Sequence, residues 1–349
     1  MTISTLQGAS ILVTGAAGFI GAAVAERLLA MGHSVVGVDD LNTYYDVRLK
    51  EARLSRLLGH PGFTFERLTL ADRAATADLF ARHRPTHVVH LAAQAGVRYS
   101  IEHPETYIDS NLVGFGNILE GCRHGGVAHL VYASSSSVYG ANTDLPFRVE
   151  QTVDHPISLY AATKKANELM AHAYSHLYRL PVSGLRLFTV YGPWGRPDMA
   201  VFLFTDAIWH GRPIKVFNNG DMQRDFTFID DVVDAVVALL PKPAMPDPAW
   251  TGADPDPATS NAPYRIYNVG NHSPEPLMAL IGHIEAALGR KAELDFQPMQ
   301  AGDVRATFAD VTSLAQAVDF APRTPLKEGV ARFVTWYREV WLGQIAKGE

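Results

Sequence analysis

Tyr160 stands four residues before Lys164 in the run Tyr-Ala-Ala-Thr-Lys, and a serine cluster, Ser134 to Ser137, ends an apolar run 23 residues upstream of that tyrosine. On a helix, positions i and i+4 share a face, so the lysine ammonium is expected beside the phenol, where it favours the ionised form. A tyrosine so placed can act as a base. The magnitudes agree: bringing a phenol from about 10 to about 7 takes roughly 4 kcal/mol, and one cation about 4 Å away at an effective dielectric near 20 supplies about that much. An oxidised nicotinamide, itself positive, would add to the effect, which makes hydride transfer the chemistry to weigh against the rest of the chain. The spacing alone is weak, since a chain with 13 tyrosines places a Tyr and a Lys four apart by chance.

These groups need a scaffold, and short β-branched runs alternating with helical segments provide one. The strand candidates are Ile11 to Thr14, Ser34 to Val38, Phe63 to Leu70, His87 to Ala92, His129 to Ser134 and Val182 to Val190. Helical periodicity fills Phe19 to Met31, Tyr44 to Leu58, Ala74 to Arg82, Pro104 to Arg123 and Ile157 to Leu180, with Gly32 and Gly59 as stops. That order predicts an α/β fold of the Rossmann type, a doubly wound parallel sheet whose right-handed crossovers bring the carboxyl ends of the strands to one edge. Thr14-Gly15, Asp39, Ala92-Ala93, the serines and Thr189 all fall there. Beyond Gly192 the alternation lapses; Arg224 to Ile229 and Arg265 to Val269 read as late strands and Asp230 to Leu240 as a capped helix. We therefore expect residues 1–192 to form a nucleotide-binding domain, rejoined by about 224–240 and 265–273. Residues 193–223 and 274–349 are expected to form a smaller substrate-binding lobe, and the Pro- and Asp-rich stretch 241–263 a solvated surface loop.

Ile11-Leu-Val-Thr14 runs directly into Gly15-Ala-Ala-Gly18-Phe-Ile-Gly21 and then a helix of small and apolar residues. Glycines let the backbone turn tightly and approach a pyrophosphate, whose charge meets the free N–H groups at the helix start. The plain alternative is a glycine-rich turn, but a strand before and an apolar helix after favour a dinucleotide site. Asp39 ends the second strand, 21 residues after Gly18, where a carboxylate accepts both adenosine ribose hydroxyls and repels a phosphate. With no arginine between Asp39 and Arg48, NAD is expected over NADP. Capping the next helix would suit Asp40 or Asn42 better than Asp39.

With 349 residues, 47% hydrophobic and 19% charged, the chain is an ordinary globular one, long enough for a large core. A net charge of -6 without a basic tract argues against nucleic acid as a partner. No run of about 18 apolar residues suggests a membrane span, and the first residues show no charged leader followed by an apolar stretch. Cys122, the single cysteine, is left to pack as a small apolar residue, with no disulfide and no metal site expected. The cytoplasm is the expected compartment.

Taken together, these residues give a chain that resembles the extended short-chain dehydrogenase/reductase family, and within it the nucleotide-sugar 4-epimerases. The likeness covers nearly the whole length and rests on Gly15-x-x-Gly18-x-x-Gly21, Leu91-Ala-Ala-Gln94, Ser134-Ser-Ser-Ser-Val-Tyr-Gly140, Tyr160 with Lys164, and Arg224-Asp-Phe-Thr-Phe-Ile-Asp230. Asp39-Asp-Leu-Asn-Thr-Tyr-Tyr-Asp46 with Leu49-Lys50, and Thr189-Val-Tyr-Gly-Pro-Trp-Gly-Arg-Pro-Asp-Met199, are similar to the UDP-glucuronate 4-epimerase branch. The resemblance implies that Tyr160 takes the proton of a sugar 4-hydroxyl while hydride passes to tightly bound NAD, with Ser135 bonded to that hydroxyl and Lys164 on the nicotinamide ribose. The 4-keto sugar turns over and takes the hydride back on its other face, an isomerase cycle that regenerates NAD. Further NAD contacts are implied for Gly15, Ala17, Gly18, Phe19 and Ile20 in the glycine loop and for Asp39, Asn42, Thr69 and Leu70 around the adenosine. Leu91, Ala92, Ala93, Gln94, Asn111, Ala133 and Phe188 complete that set. The UDP-sugar would meet Ser135, Ser136, Ser137, Tyr160, Thr189 and Arg196, together with Arg98 and Val216, while Phe217, Arg224 and Asp303 lie toward the base and diphosphate. Phe217 could equally be core, and Arg196 could simply pair with Asp198. The family also implies a homodimer in which Ile101 to Arg123 and Ile157 to Leu180 build a four-helix interface.

Two positions depart from the family pattern. Thr69 stands where an aspartate usually meets the adenine amine, with Asp72 three places later, and Arg305 replaces a common proline after Gly302-Asp-Val304. Among rivals, dehydratases and decarboxylases of nucleotide sugars carry acidic residues just before Val-Tyr-Gly, where this chain has Ser136 and Ser137. Hydroxyls are poor bases at neutral pH, so inversion without elimination is the better reading. A UDP-galactose-type 4-epimerase is the nearest enzymatic rival. An NAD-sensing protein on the same fold is the non-enzymatic one, and it would have no need of Tyr160, Lys164 and Ser135 together.

Overall fold

The central strands are runs of Val, Ile, Leu and Tyr with almost no exposed position, the pattern of strands covered on both faces. A computed structural model describes residue 6 and residues 8–300 and 302–346. The ends of the segments expected at 1–192 and 274–349, with the stretch read for a leader, lie in part outside these residues. In chain order the elements are β1 (Ser10–Thr14), α1 (Phe19–Ala30), β2 (Ser34–Asp39), α2 (Val47–Leu58), β3 (Phe63–Arg67), α3 (Arg73–His83), β4 (His87–His90), α4 (Tyr99–Glu102), α5 (Pro104–Tyr107), α6 (Gly114–Gly125), β5 (His129–Ser135), α7 (Leu159–Tyr178), β6 (Val182–Leu187) and β7 (Thr189–Tyr191). There follow α8 (Ala200–Trp209), β8 (Ile214–Val216), β9 (Gln223–Phe228), α9 (Ile229–Leu239), β10 (Tyr264–Val269), β11 (Pro274–Pro276), α10 (Leu277–Leu288), β12 (Leu294–Phe296), α11 (Thr312–Val318) and α12 (Leu326–Trp336).

Seven strands form one parallel sheet in the order β10-β6-β5-β4-β1-β2-β3, the expected doubly wound arrangement. The winding reverses between β1 and β4, and such a reversal opens a crevice at the strands' carboxyl ends. Thr14 pairs with both Val38 and His90, so Gly15, Asp39 and Leu91 emerge side by side. Ser135 pairs with Leu187, which sets the serines beside Phe188 and Thr189. No helix among the described residues is long and apolar enough to cross a membrane.

Several expected elements differ. β3 stops at Arg67 and β4 at His90, so Thr69, Leu70 and Leu91 to Gln94 lie in loops at the crevice. The run Val182 to Val190 breaks at Phe188, after which β7 leaves the main sheet to pair with β9. β9 therefore does not rejoin the seven strands; it lies between β7 and β11 in a separate three-stranded sheet. The helix expected from Pro104 is interrupted by a π-helical turn, Ile108–Val113, around Asn111. α9 carries no side-chain cap, and α2 is capped by Asp46, not by Asp40 or Asn42. The stretch 241–263 has no helix or strand, yet it is not wholly solvated, since Ala258, Ser260 and Ala262 are buried beside β10.

Candidate functional site

β1 delivers Gly15 at φ +72°, a left-handed conformation that suits glycine. A Cβ there would come within 2.9 Å of the Ala92 backbone nitrogen, and one on Gly21 within 2.0 Å of the Gly15 carbonyl oxygen. The loop can close only with glycine. Gly18 caps α1 without any side chain, so the first amides of that helix carry no side-chain cap and face the crevice as an anion site. These features fit a dinucleotide pyrophosphate.

The crevice is a cleft of about 380 Å³. Its walls bring together Gly15, Gly18, Phe19, Ile20, Asp39, Asn42, Thr69, Leu70, Leu91, Ala92, Ala93 and Gln94 with Ala133, Ser135, Ser136, Ser137, Tyr160, Lys164, Phe188, Thr189 and Arg196. An adjoining pocket of about 130 Å³ shares Ser136, Ser137 and Thr189 and adds Arg224 and Asp303, which pair at 2.6 Å. Five expected residues line neither space. The Ala17 amide is spent on Asp39 Oδ2 at 3.1 Å. Asn111 is buried with its amide engaged by Gln94 and Thr163, so it ties the loop after β4 to α7. Val216 is fully buried, and Phe217 carries the guanidinium of the exposed Arg98 on its ring, 5.1 Å from the centroid. Asp72 caps α3 through Ala75 N–H and lines neither space. Tyr44, Lys50 and Gly96 also line the cleft, though sequence reasoning assigned them no chemistry. Tyr44 and Lys50 stood inside a quoted motif, which was the available signal.

Asp39 accepts from Ala17 N–H and Leu41 N–H, and burial raises its carboxyl above the usual value against those bonds and the charge of Lys50. Lys50 itself is held by Asn42 through two contacts of 2.8 Å.

Helix α7 starts where Ser158 caps Ala161 N–H at 3.1 Å, and its buried face presents Lys164, Asn167 and Glu168. Glu168 locks that face to the sheet: it accepts from Ser134 Oγ at 2.7 Å and from Arg186 at 2.9 and 3.0 Å, all buried. Removing one partner of such a pair costs about 3–5 kcal/mol. Tyr160 and Ser135 share the cleft wall, and the Ser135 hydroxyl donates to Ser137 Oγ at 3.1 Å. Burial raises the phenol's pKa, and the influences drawing it down are Ser135 and the charge of Arg196. The expected help from Lys164 is not present in this state. Its Nζ donates to the Ala133 carbonyl at 2.9 Å, and burial lowers its pKa to about 8.

Arg196 pairs with Asp198, Nε lying 3.0 Å from Oδ1, and Tyr44 Oη donates to the same carboxylate at 3.0 Å. Burial works to raise the Asp198 carboxyl, but the arginine's charge and the hydrogen bonds outweigh it and hold the group below its usual value. The arginine thus has a protein partner and still lines the cleft, with its side chain 21% exposed.

Known proteins agree with this geometry. Residues 11–270 match the model of the NAD dependent epimerase/dehydratase family. Protein CapI of Staphylococcus aureus is 56% identical over 95% of this chain and 99% of its own length. The probable UDP-glucuronate 4-epimerase of Rhizobium meliloti is 49% identical over 93% of this chain and 96% of that protein. Among solved structures, UDP-glucuronic acid 4-epimerase from Bacillus cereus, in complex with UDP-glucuronic acid and NAD, superposes with a TM-score of 0.85 at 29% identity, covering 95% of this chain and 99% of that one. The chain belongs to the NAD dependent epimerase/dehydratase family.

Proposed function

We propose that this protein is an NAD-dependent isomerase that inverts carbon 4 of a UDP-hexuronate, converting UDP-glucuronate to UDP-galacturonate. The observation that carries the reading is one cleft holding a phenol and a serine hydroxyl, a glycine cradle for pyrophosphate, and an arginine among neutral hydroxyls. Bound NAD supplies the acceptor and then the donor of a hydride. Tyr160 takes the proton of the 4-hydroxyl and later returns it, Ser135 steadies the hydroxyl oxygen, and Glu168 with Arg186 keeps α7 in register. Ser136, Ser137, Thr189 and Arg196 receive the sugar's carboxylate, and Arg224 with Asp303 the diphosphate side. The grip matters because a 4-keto uronate is a β-keto acid, able to lose carbon dioxide. Incubation with UDP-glucuronate, UDP-glucose and UDP-xylose, with separation of the products, tests the assignment; turnover of UDP-glucose as fast as UDP-glucuronate would favour the galactose-type epimerase.

The protein should purify with NAD bound and need none added. Asp39→Ala is expected to weaken NAD about 10- to 100-fold, the worth of one or two hydrogen bonds to a charged group, and to erase the preference over NADP. Fluorescence titration of the stripped protein measures both. Unchanged discrimination would remove the ribose role from Asp39.

We further propose a homodimer through α6 and α7. Leu169 and Leu177 on α7 are 59% and 66% exposed, and Ile101 on α4, which packs against α7, is 62% exposed, large apolar groups that a partner copy would cover. Light scattering at micromolar concentration should give twice the chain mass, and Leu169→Glu with Leu177→Glu should give the monomer.

A further inference from the structure

The two segments most similar to the uronate branch, 39–46 and 189–199, are joined through one side chain. Tyr44 Oη donates to Asp198 Oδ2 at 3.0 Å, and Asp198 in turn takes the Nε and Nη2 edge of Arg196. Tyr44 is itself fixed: its ring lies 4.7 Å from that of Tyr99, and a Cβ on Gly96 would come within 2.6 Å of its hydroxyl. The arginine's loop is clamped from behind by the fully buried Arg53, which donates to the carbonyls of Trp194 and Gly195 at 2.6 and 3.2 Å. A guanidinium has five N–H donors in a rigid fork. Asp198 occupies one edge, and Nη1 has no partner among the described residues. A second carboxylate can therefore seat end-on while Asp198 keeps the plane.

We propose that Asp198, steadied by Tyr44, is a positioning residue that fixes the plane of the Arg196 guanidinium and through it the plane of the sugar's carboxylate. The inference rests on the reading that Arg196 meets that carboxylate. Pinned on one edge, the arginine does not follow a carboxylate that rotates out of plane. Asp198 also offsets the arginine's charge, so the sugar acid is held by directed hydrogen bonds more than by bare attraction. Losing Asp198 should then leave ground-state binding intact or tighter and loosen the geometry on which the outcome of the reaction depends.

The test uses the NAD-bound protein and its Asp198→Asn and Tyr44→Phe variants, assayed with UDP-glucuronate for KM, kcat and carbon dioxide released per turnover, and with UDP-glucose for affinity. In Asp198→Asn we expect KM for UDP-glucuronate equal or lower, kcat for inversion about tenfold lower and carbon dioxide per turnover about fivefold higher. Affinity for UDP-glucose should change by less than about twofold. Tyr44→Phe should move the same quantities the same way by a smaller factor, and it carries the test alone should Asp198→Asn not fold. A raised KM for both sugars would mark a merely structural role and overturn the proposal. So would carbon dioxide release at the wild-type level in the variants while Arg196→Ala raises it, which leaves the carboxylate reading standing. An Arg196→Ala enzyme that separates the two sugars as wild type does would overturn that reading itself.

Discussion

Tyr160→Phe is expected to lower carbon-4 inversion by about a thousandfold or more, the upper range for removing a positioned proton acceptor, with UDP-sugar and NAD affinities nearly unchanged. Only the ionisable oxygen is lost, and the ring keeps its contact with Tyr107, 6.1 Å between centroids. Isothermal titration and a coupled epimer assay separate the two effects; inversion at one tenth of the wild-type rate would exclude Tyr160 as the base. The pH profile carries more. As the proposed base Tyr160 would work as a phenolate, and burial holds its pKa above the ordinary tyrosine value, so activity should climb as pH rises toward it. Ser135→Ala removes the hydroxyl whose influence most opposes burial and should move the climb to higher pH. A Lys164→Ala profile displaced as far would mean that the ammonium leaves the Ala133 carbonyl and turns to the phenol once the cofactor is in place.

Why some of this was legible in the chain and some was not follows from the range of the interactions. The glycine loop, Asp39 and the serines depend on local geometry: a strand end, a tight turn and the next helix start are contiguous in sequence, so their types and spacing announce them. The crossovers followed from alternation alone, and the order of the main sheet agrees. Lys164 shows the limit. Its i+4 placement beside Tyr160 was correct as helix geometry, but where a long side chain ends depends on a β5 carbonyl 31 residues earlier. Asn111 reads as a ligand by position and is spent on Gln94 and Thr163, because the π-helical turn points its amide at the loop behind the cleft wall. β9 looked like a return to the main sheet, since a strand's own sequence names neither its partner nor its sheet. The bond from Tyr44 to Asp198 spans 154 residues and has no local signature at all.

Arg196→Ala should change what the enzyme makes as well as how fast it works. Oxidation at carbon 4 of a glucuronate puts a ketone next to the carbon that bears the carboxylate. The bond to that carboxyl breaks readily when it stands perpendicular to the carbonyl plane, its electron pair passing into the carbonyl as an enolate that a proton then quenches. Held near the plane, it has poor overlap. Arg196, with Ser137 and Thr189 lining the same cleft, offers the donors for that restraint. With the arginine gone, carbon dioxide per turnover is expected to rise about tenfold, since small errors of placement change rates by one to two orders of magnitude. The product should shift from UDP-galacturonate toward a UDP-4-keto-pentose. Each such event consumes the ketone without returning its hydride, so bound cofactor should be left reduced and turnover should fade. Removing Arg196 also takes away a positive influence on Tyr160, which should move the climb of activity to higher pH. Trapped carbon dioxide, product ratio and the absorbance of reduced nicotinamide report these effects independently. If none of the three moved, while UDP-glucose proved as good a substrate as UDP-glucuronate, Arg196 would belong to Asp198 alone and the uronate reading would give way to the neutral-sugar one.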